Sequence, residues 1–114
     1  MSFQNLIVRQ ALKSLHKKAT KEFPGVDCIR ITQAKDQIGT VSYYEKKKQL
    51  FLANYDFGNF AQSFKILLGE KGIKIDEVLS IDLFIYYSEA IQTDCGIEYT
   101  ENGKNYFQKI SFVW

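Results

Sequence analysis

An Asn-Gly dipeptide, Asn102-Gly103, separates two segments of alternating apolar and polar residues near the C-terminus. A two-residue hairpin loop of type I′ needs positive φ at both central residues, which Gly adopts freely and Asn tolerates. The dipeptide therefore predicts a β-hairpin and fixes its register, because counting outward from the turn places Glu98 opposite Phe107.

This register assigns a face to each side chain of the hairpin, since successive side chains of a strand point to opposite sides. The side predicted to face the core carries Cys95, Ile97, Tyr99, Tyr106, Ile110 and Phe112. The other side is polar except for Phe107 and Val113. We expect these two apolar side chains to be covered, either by a helix of this chain or by a partner.

Two amphipathic segments predict helices. The first begins at the N-cap Ser2 and ends at Pro24, which lacks a backbone donor, and its apolar side is Phe3, Ile7, Ala11, Leu15, Ala19 and Phe23, widened by Val8 and Leu12. The second follows Asp56 or Asn59 and ends at Gly69 or Gly72, with the apolar side Phe60, Phe64, Leu67 and Leu68. Each helix therefore has one side to bury.

Short alternating segments predict strands at residues 26–32, 38–45, 50–55 and 80–88, and residues 73–79 are predicted to be irregular. Together with the C-terminal hairpin, they give the order α-β-β-β-α-β-β-β, which repeats an αβββ unit. We expect an α+β fold with an antiparallel sheet of about six strands and both helices on one face.

Length and composition favour one domain over residues 1–114, because 46% of the 114 residues are hydrophobic and suffice for a core. No apolar run approaches the roughly 20 residues of a membrane span, and the N-terminus lacks the pattern of a signal peptide. We therefore expect no membrane association and a cytoplasmic location, with Cys28 and Cys95 reduced and packed as small apolar side chains.

No arrangement of residues predicts catalysis. The single histidine, His16, is expected on the exposed side of the first helix among lysines, without the oriented partner that a general base or nucleophile needs. The glycines lack the spacing of a phosphate-binding loop, and no cysteine or histidine cluster suggests a metal. We expect a protein that is not an enzyme and has no cofactor or metal.

Aromatic residues, 15% of the chain, favour protein binding, because tyrosine, phenylalanine and tryptophan are efficient interface anchors. The leading hypothesis is a small bacterial or phage protein that binds another protein, as an inhibitor or immunity-type factor. The alternative for each candidate is packing within the fold. The candidates are Tyr44, Tyr55, Phe57, Tyr86, Phe107 and Trp114.

Nucleic-acid binding is the second hypothesis. The net charge of +2 does not by itself indicate a polyanionic partner, but the basic residues are concentrated on the first helix and in one turn. The candidates are Arg9, Lys13, Lys17, Lys21, Lys46, Lys47 and Lys48. A homodimer through a sheet face bearing Phe107 and Val113 is a third hypothesis.

Overall fold

The computed structural model describes residues 2–56 and 60–114. Its helices and strands follow the predicted order of an αβββ unit given twice. They are α1 (Phe3–Glu22), β1 (Cys28–Ala34), β2 (Gly39–Glu45), β3 (Lys48–Tyr55), α2 (Phe60–Glu70), β4 (Glu77–Tyr87), β5 (Ile91–Glu101) and β6 (Lys104–Val113).

All six strands form one antiparallel sheet in the order β3-β2-β1-β4-β5-β6. The C-terminal hairpin has the predicted register, with Glu98 opposite Phe107, and its turn residues Asn102 and Gly103 have φ values of 52° and 76°. The predicted α+β fold is confirmed. The central pair, β1 with β4, joins the two halves of the chain.

The predicted irregular segment at residues 73–79 is partly wrong, because β4 begins at Glu77. The pairing of β4 with β5 shifts register between Val78 and Ser80. Such a bulge places two residues of one strand against one of its neighbour. The bulge interrupts the alternation of apolar and polar residues, and this explains why the sequence pattern blurs there.

Helix α1 buries only part of its predicted apolar side. Its N-cap is Ser2, as predicted, and the Ser2 hydroxyl accepts a hydrogen bond from the Asn5 amide. However, the buried side chains are Val8, Leu12, Leu15 and Ala19, whereas Phe3 is 78% exposed and Ile7 and Ala11 are also exposed. Four residues turn a helix by about 40° more than one full turn. A series with a spacing of four therefore winds away from the sheet toward solvent.

The core lies between the two helices and one face of the sheet. Fully buried side chains come from α1, α2, β1, β4 and β5, and they include Leu12, Phe64, Ile29, Ile31, Leu83, Ile85 and Ile97. The last residue, Trp114, also lies in this core, where its ring stacks on Phe112 at 5.2 Å between centroids. The other face of the sheet carries neither helix.

The strands of the two αβββ units follow in mirrored order on the two sides of the β1–β4 pair, and one hydrogen bond recurs in both units. In the first unit, the Asp27 carboxylate accepts from the amide of Lys46, the first residue of the β2–β3 turn, at 3.0 Å. In the second, the Asp76 carboxylate accepts from the amide of Asn102 at 2.7 Å. A carboxylate before the first strand of each unit thus holds the tip of that unit's last hairpin.

Candidate functional site

The sheet face opposite the helices, called here the uncovered face, exposes large apolar side chains. Alternation along β1, β4, β5 and β6 places Arg30, Phe84, Asp94 and Phe107 on this side, while their neighbours in sequence enter the core. Leu52 is 59% exposed, Phe107 61% and Val113 68%. Neither helix therefore covers Phe107 or Val113, the two apolar side chains that were expected to be covered.

A charged and aromatic cluster occupies the centre of the uncovered face. Arg30 on β1 donates two hydrogen bonds to the carboxylate of Asp82 on β4, at 2.9 and 3.0 Å. Its guanidinium lies 4.9 Å from the centroid of the Phe84 ring, and Phe84 stacks with Tyr86. The hydrogen bond to Asp82 raises the pKa of Arg30. A bidentate pair of this kind holds the guanidinium in a fixed plane against the ring.

Beside this cluster, the Phe107 ring on β6 lies over Gly96 on β5. A Cβ atom added to Gly96 would come within 3.3 Å of the ring. This glycine leaves room for Phe107 to lie across the sheet. A shallow concavity of about 420 Å³ separates Phe107 from Phe84, with Asp94 and Lys109 among its lining residues.

A larger concavity, of about 620 Å³, lies at the other side of the central cluster. The aromatic residues that line it are Tyr44, Phe84, Tyr86 and Tyr87, together with Arg30. The exposed lysines Lys46 and Lys47, called here the lysine tip, contribute to its rim. Its volume is within the range of about 300–1,000 Å³ that is usual for ligand sites. The structure thus brings predicted aromatic and basic candidates together at one place.

The predicted protein-binding residues have different positions. Tyr44, Tyr86 and Phe107 lie on the uncovered face. Tyr55 belongs to the helix side of β3, where the Lys18 ammonium lies 5.9 Å from its ring centroid, and Phe57 is outside the described residues. Trp114 is 7% exposed and donates a hydrogen bond from Nε1 to the Thr93 hydroxyl at 2.7 Å. Its ring is therefore part of the core rather than of a binding surface.

The predicted basic residues form two separate groups. Lys13, Lys17 and Lys21 are exposed on α1, which covers the helix side of the sheet, whereas the lysine tip borders the uncovered face. Lys48 is the first residue of β3 and lies opposite Glu45. Arg9 is half-buried, and its Nε atom has no hydrogen-bond partner within the described residues. The α1 lysines are not among the residues that line the concavity beside the lysine tip.

The expectation that His16 is a solvated surface residue is wrong. Its ring stacks on Tyr87 with 4.0 Å between centroids and 9° between planes. Its Nε2–H donates to the carbonyl oxygen of Val26 at 2.9 Å. The histidine thus joins α1 to the loop before β1 and to the end of β4, and its spacing in the helix gave no sign of this.

The two cysteines are free, and both thiols are shifted toward the protonated form. Burial, reinforced by the charge of Asp27, raises the pKa of Cys28 to about 11. Burial also raises the pKa of Cys95 to about 12. A thiol acts as a nucleophile or metal ligand in its deprotonated form. The environment of both cysteines therefore disfavours that chemistry.

Arg30, Asp82 and Phe84 are site residues that sequence reasoning missed. Each follows a core residue in an alternating strand, so their shared face was readable. The pairing of β1 with β4 was not, because it joins segments far apart in the chain, and this pairing creates the ion pair. Within residues 2–56 and 60–114, no helix is long and apolar enough to cross a membrane.

Comparisons with protein-family models, curated proteins and solved structures found no match to this chain. The residues and geometry of the uncovered face are therefore the basis for assigning a function.

Proposed function

We propose that this protein is a non-enzymatic binding domain that contacts another protein through the uncovered face, as an inhibitor or immunity-type factor. The observation that carries the proposal is the position of Tyr44, Tyr86 and Phe107 on one continuous, helix-free face beside the exposed Leu52 and Val113. Aromatic anchors surrounded by polar groups are the usual composition of a protein interface.

The mixed charge of this face also supports a protein partner. Asp82 pairs with Arg30, and Asp94 and Lys109 lie near each other around the smaller concavity. Interleaved charges of both signs complement a protein surface better than a continuous phosphate backbone, which repels carboxylates. The same face offers a homodimer a self-complementary surface.

The absence of catalysis remains part of the proposal, and two observations support it. His16 uses its ring in a stack with Tyr87 and a hydrogen bond to a backbone carbonyl. The raised thiol pKa values of Cys28 and Cys95 disfavour nucleophilic attack. These groups fit structural roles.

Site-specific photocrosslinking tests the proposal with two matched positions. Phe107 and Phe3 are both exposed phenylalanines, but one lies on the uncovered face and the other on α1. Each is replaced by p-benzoylphenylalanine, and the protein is irradiated in its native host. We expect a defined protein to be crosslinked from position 107 and not from position 3. Crosslinking only from position 3 contradicts the proposed face.

Alanine variants then measure the contribution of the face to affinity for the captured partner. We expect Phe107→Ala and Tyr86→Ala each to weaken binding at least about tenfold, as interface anchors do. Phe3→Ala is the control and should leave affinity unchanged. If the captured copy is the chain itself, light scattering across concentrations should show a dimer that Phe107→Ala dissociates.

Nucleic-acid binding is the second candidate, favoured by the lysine tip beside Tyr44 and Tyr86, since exposed aromatic rings can stack on bases. The lysines of α1 do not line this site, which argues against a single basic surface that includes the helix. Replacing Lys46, Lys47 and Lys48 by Gln should weaken binding to single-stranded nucleic acid and flatten its salt dependence if this candidate is correct. An unchanged salt slope excludes the lysine tip as the phosphate contact.

A further inference from the structure

The lysine tip adopts a backbone conformation that lysine disfavours. Lys46 and Lys47 have φ values of 48° and 69°, which lie in the left-handed region. A side chain other than glycine costs about 1–2 kcal/mol per residue there, and Asn-Gly is the preferred solution for this two-residue turn. The stability of the hairpin alone therefore does not explain why lysine is present at both turn positions.

The second αβββ unit supplies an internal comparison. Its equivalent hairpin has the same pair of left-handed residues, with φ values of 52° and 76°, and the same carboxylate hydrogen bond at its first turn residue. Here the sequence is Asn102-Gly103, the preferred pair. The same chain thus uses the favourable solution at one tip and two lysines at the other. The two tips share the same backbone conformation and differ only in their side chains. A function of the lysine side chains would therefore explain why lysine is present at the first tip.

The ammonium groups of the lysine tip are available to a partner. The ion pairs of Arg30 with Asp82 and of Lys35 with Glu77 do not include the tip. The Asp27 carboxylate near the tip accepts from the Lys46 backbone amide. Both lysines are exposed and line the rim of the larger concavity, whose floor includes Tyr44 and Tyr86.

From this geometry we infer that the lysine tip and the larger concavity recognise an acidic segment of the protein partner, in which carboxylates meet Lys46 and Lys47 while an apolar or aromatic side chain lies on Tyr44 and Tyr86. This inference rests on the proposed function and names the chemistry of the partner. Complementary charge at the edge of an interface speeds association and fixes register, and the desolvated aromatic floor contributes most of the affinity.

The test uses a defined probe, a synthetic glutamate-rich peptide that carries one leucine and one tyrosine. Titration into isotope-labelled protein should shift the backbone amide resonances of Lys46, Lys47 and Tyr86 in a saturable manner. The same peptide with glutamine at every glutamate should bind roughly twofold to thirtyfold more weakly, since two exposed charge contacts contribute about 0.4–2 kcal/mol together. Shifts confined to α1, or no saturable shift, overturn the inference.

The double variant Lys46→Asn, Lys47→Gly is the matched control, because it gives the first hairpin the tip of the second. It should keep the fold and lose roughly twofold to thirtyfold in affinity for the glutamate-rich peptide. Single-stranded oligothymidine is the competing probe, and tighter binding of it at the same residues overturns the inference in favour of nucleic acid. If the partner crosslinked from position 107 binds this variant unchanged, the inference fails while the proposed function stands.

Discussion

The hydroxyl of Tyr87 donates a hydrogen bond to the backbone carbonyl oxygen of Leu12, with 2.7 Å between the two oxygen atoms. Tyr87 ends β4 and Leu12 lies in the middle of α1, so this contact joins the central pair of strands to the first helix. Helix backbones normally satisfy their own carbonyls. The tyrosine thus adds a second donor at a point where α1 packs on the sheet.

Tyr87→Phe should lower the free energy of unfolding by about 1 kcal/mol, the usual contribution of one such hydrogen bond. The phenyl ring keeps the stack with His16, so the variant isolates the hydroxyl. Urea denaturation measures the change. Tyr106→Phe on the exposed edge strand is the control, and an equal loss in both variants would argue against a specific role for the Tyr87 hydroxyl.

We also expect the free energy of unfolding of the wild type and of Tyr87→Phe to depend differently on pH. Burial raises the pKa of Tyr87 above its ordinary value of 10.0. A group whose pKa is raised on folding contributes its full stability below the pKa of the unfolded chain and loses it as the pH rises toward the folded value. Wild-type stability should therefore fall more steeply above pH 10 than that of Tyr87→Phe. Parallel curves in urea denaturation contradict this assignment.

Exchanging the two hairpin tips tests the cost of left-handed lysines. Lys46→Asn with Lys47→Gly should raise the free energy of unfolding by about 1 kcal/mol, because the new pair suits the positive φ values. The reverse change, Asn102→Lys with Gly103→Lys, should lower it by a similar amount. Thermal or urea denaturation gives both values. If the Lys46→Asn, Lys47→Gly variant is more stable and binds the glutamate-rich peptide more weakly, the lysines act in binding. If the variant is less stable than the wild type, the lysines contribute to the stability of the fold.

The sequence predicted those features of the fold that depend on neighbouring residues, such as turns and the register of a hairpin. The turn preference of Asn102-Gly103 fixed the register of the last hairpin, and this register placed Phe107 on the side that the helices leave bare. The side of α1 that is buried was harder to predict, because apolar residues surround much of its first half. Packing against the sheet determines which of these apolar residues are buried, and it buries Val8 but not Phe3.

The centre of the candidate site depended on a pairing that no local pattern encodes. Arg30 meets Asp82 because β1 and β4 lie side by side, and the chain between them includes two further strands and a helix. A turn was predicted over Lys46, Lys47 and Lys48, between two alternating segments, whereas Lys48 is the first residue of β3. The left-handed backbone of Lys46 and Lys47 could not be predicted, because nothing in a pair of lysines indicates positive φ. The position of the candidate site therefore depends on the pairing of distant strands and on backbone dihedral angles, and composition predicts neither.

The hydrogen bond from Trp114 Nε1 to the Thr93 hydroxyl is buried, so its loss should be costly. Thr93→Val keeps the shape of the side chain but leaves the indole donor without its acceptor. We expect a loss of about 1–3 kcal/mol in the free energy of unfolding, the usual penalty for an unsatisfied buried donor. Trp114 is the single tryptophan, so its fluorescence reports both the unfolding midpoint and the local environment.

Ser111→Ala is the control for this measurement. The Ser111 hydroxyl also donates to a side-chain oxygen, that of Asp94 at 2.8 Å, but the contact is exposed. Water replaces an exposed partner, and the cost should stay below about 0.5 kcal/mol. Equal costs for Thr93→Val and Ser111→Ala would show that burial of the Trp114 contact does not determine its contribution.

Alkylation kinetics should reveal the protonated state of both thiols. With the pKa of Cys28 raised from 9.0 to about 11, its thiolate fraction at neutral pH should be roughly a hundredfold below that of the unfolded chain, and iodoacetamide labelling should slow accordingly. Cys95, buried and raised further, should react more slowly still. Mass spectrometry of the labelled peptides follows each cysteine separately, with the denatured protein as the reference.

Asp27→Asn distinguishes charge from burial at Cys28. The carboxylate of Asp27 is the second cause of the raised Cys28 pKa, after burial, whereas it does not contribute to that of Cys95. The amide oxygen of asparagine can still accept from the Lys46 backbone, so the hairpin tip keeps its hydrogen bond. The variant should therefore speed the labelling of Cys28 severalfold and leave Cys95 unchanged. Faster labelling of both cysteines would instead indicate that the substitution loosens the fold.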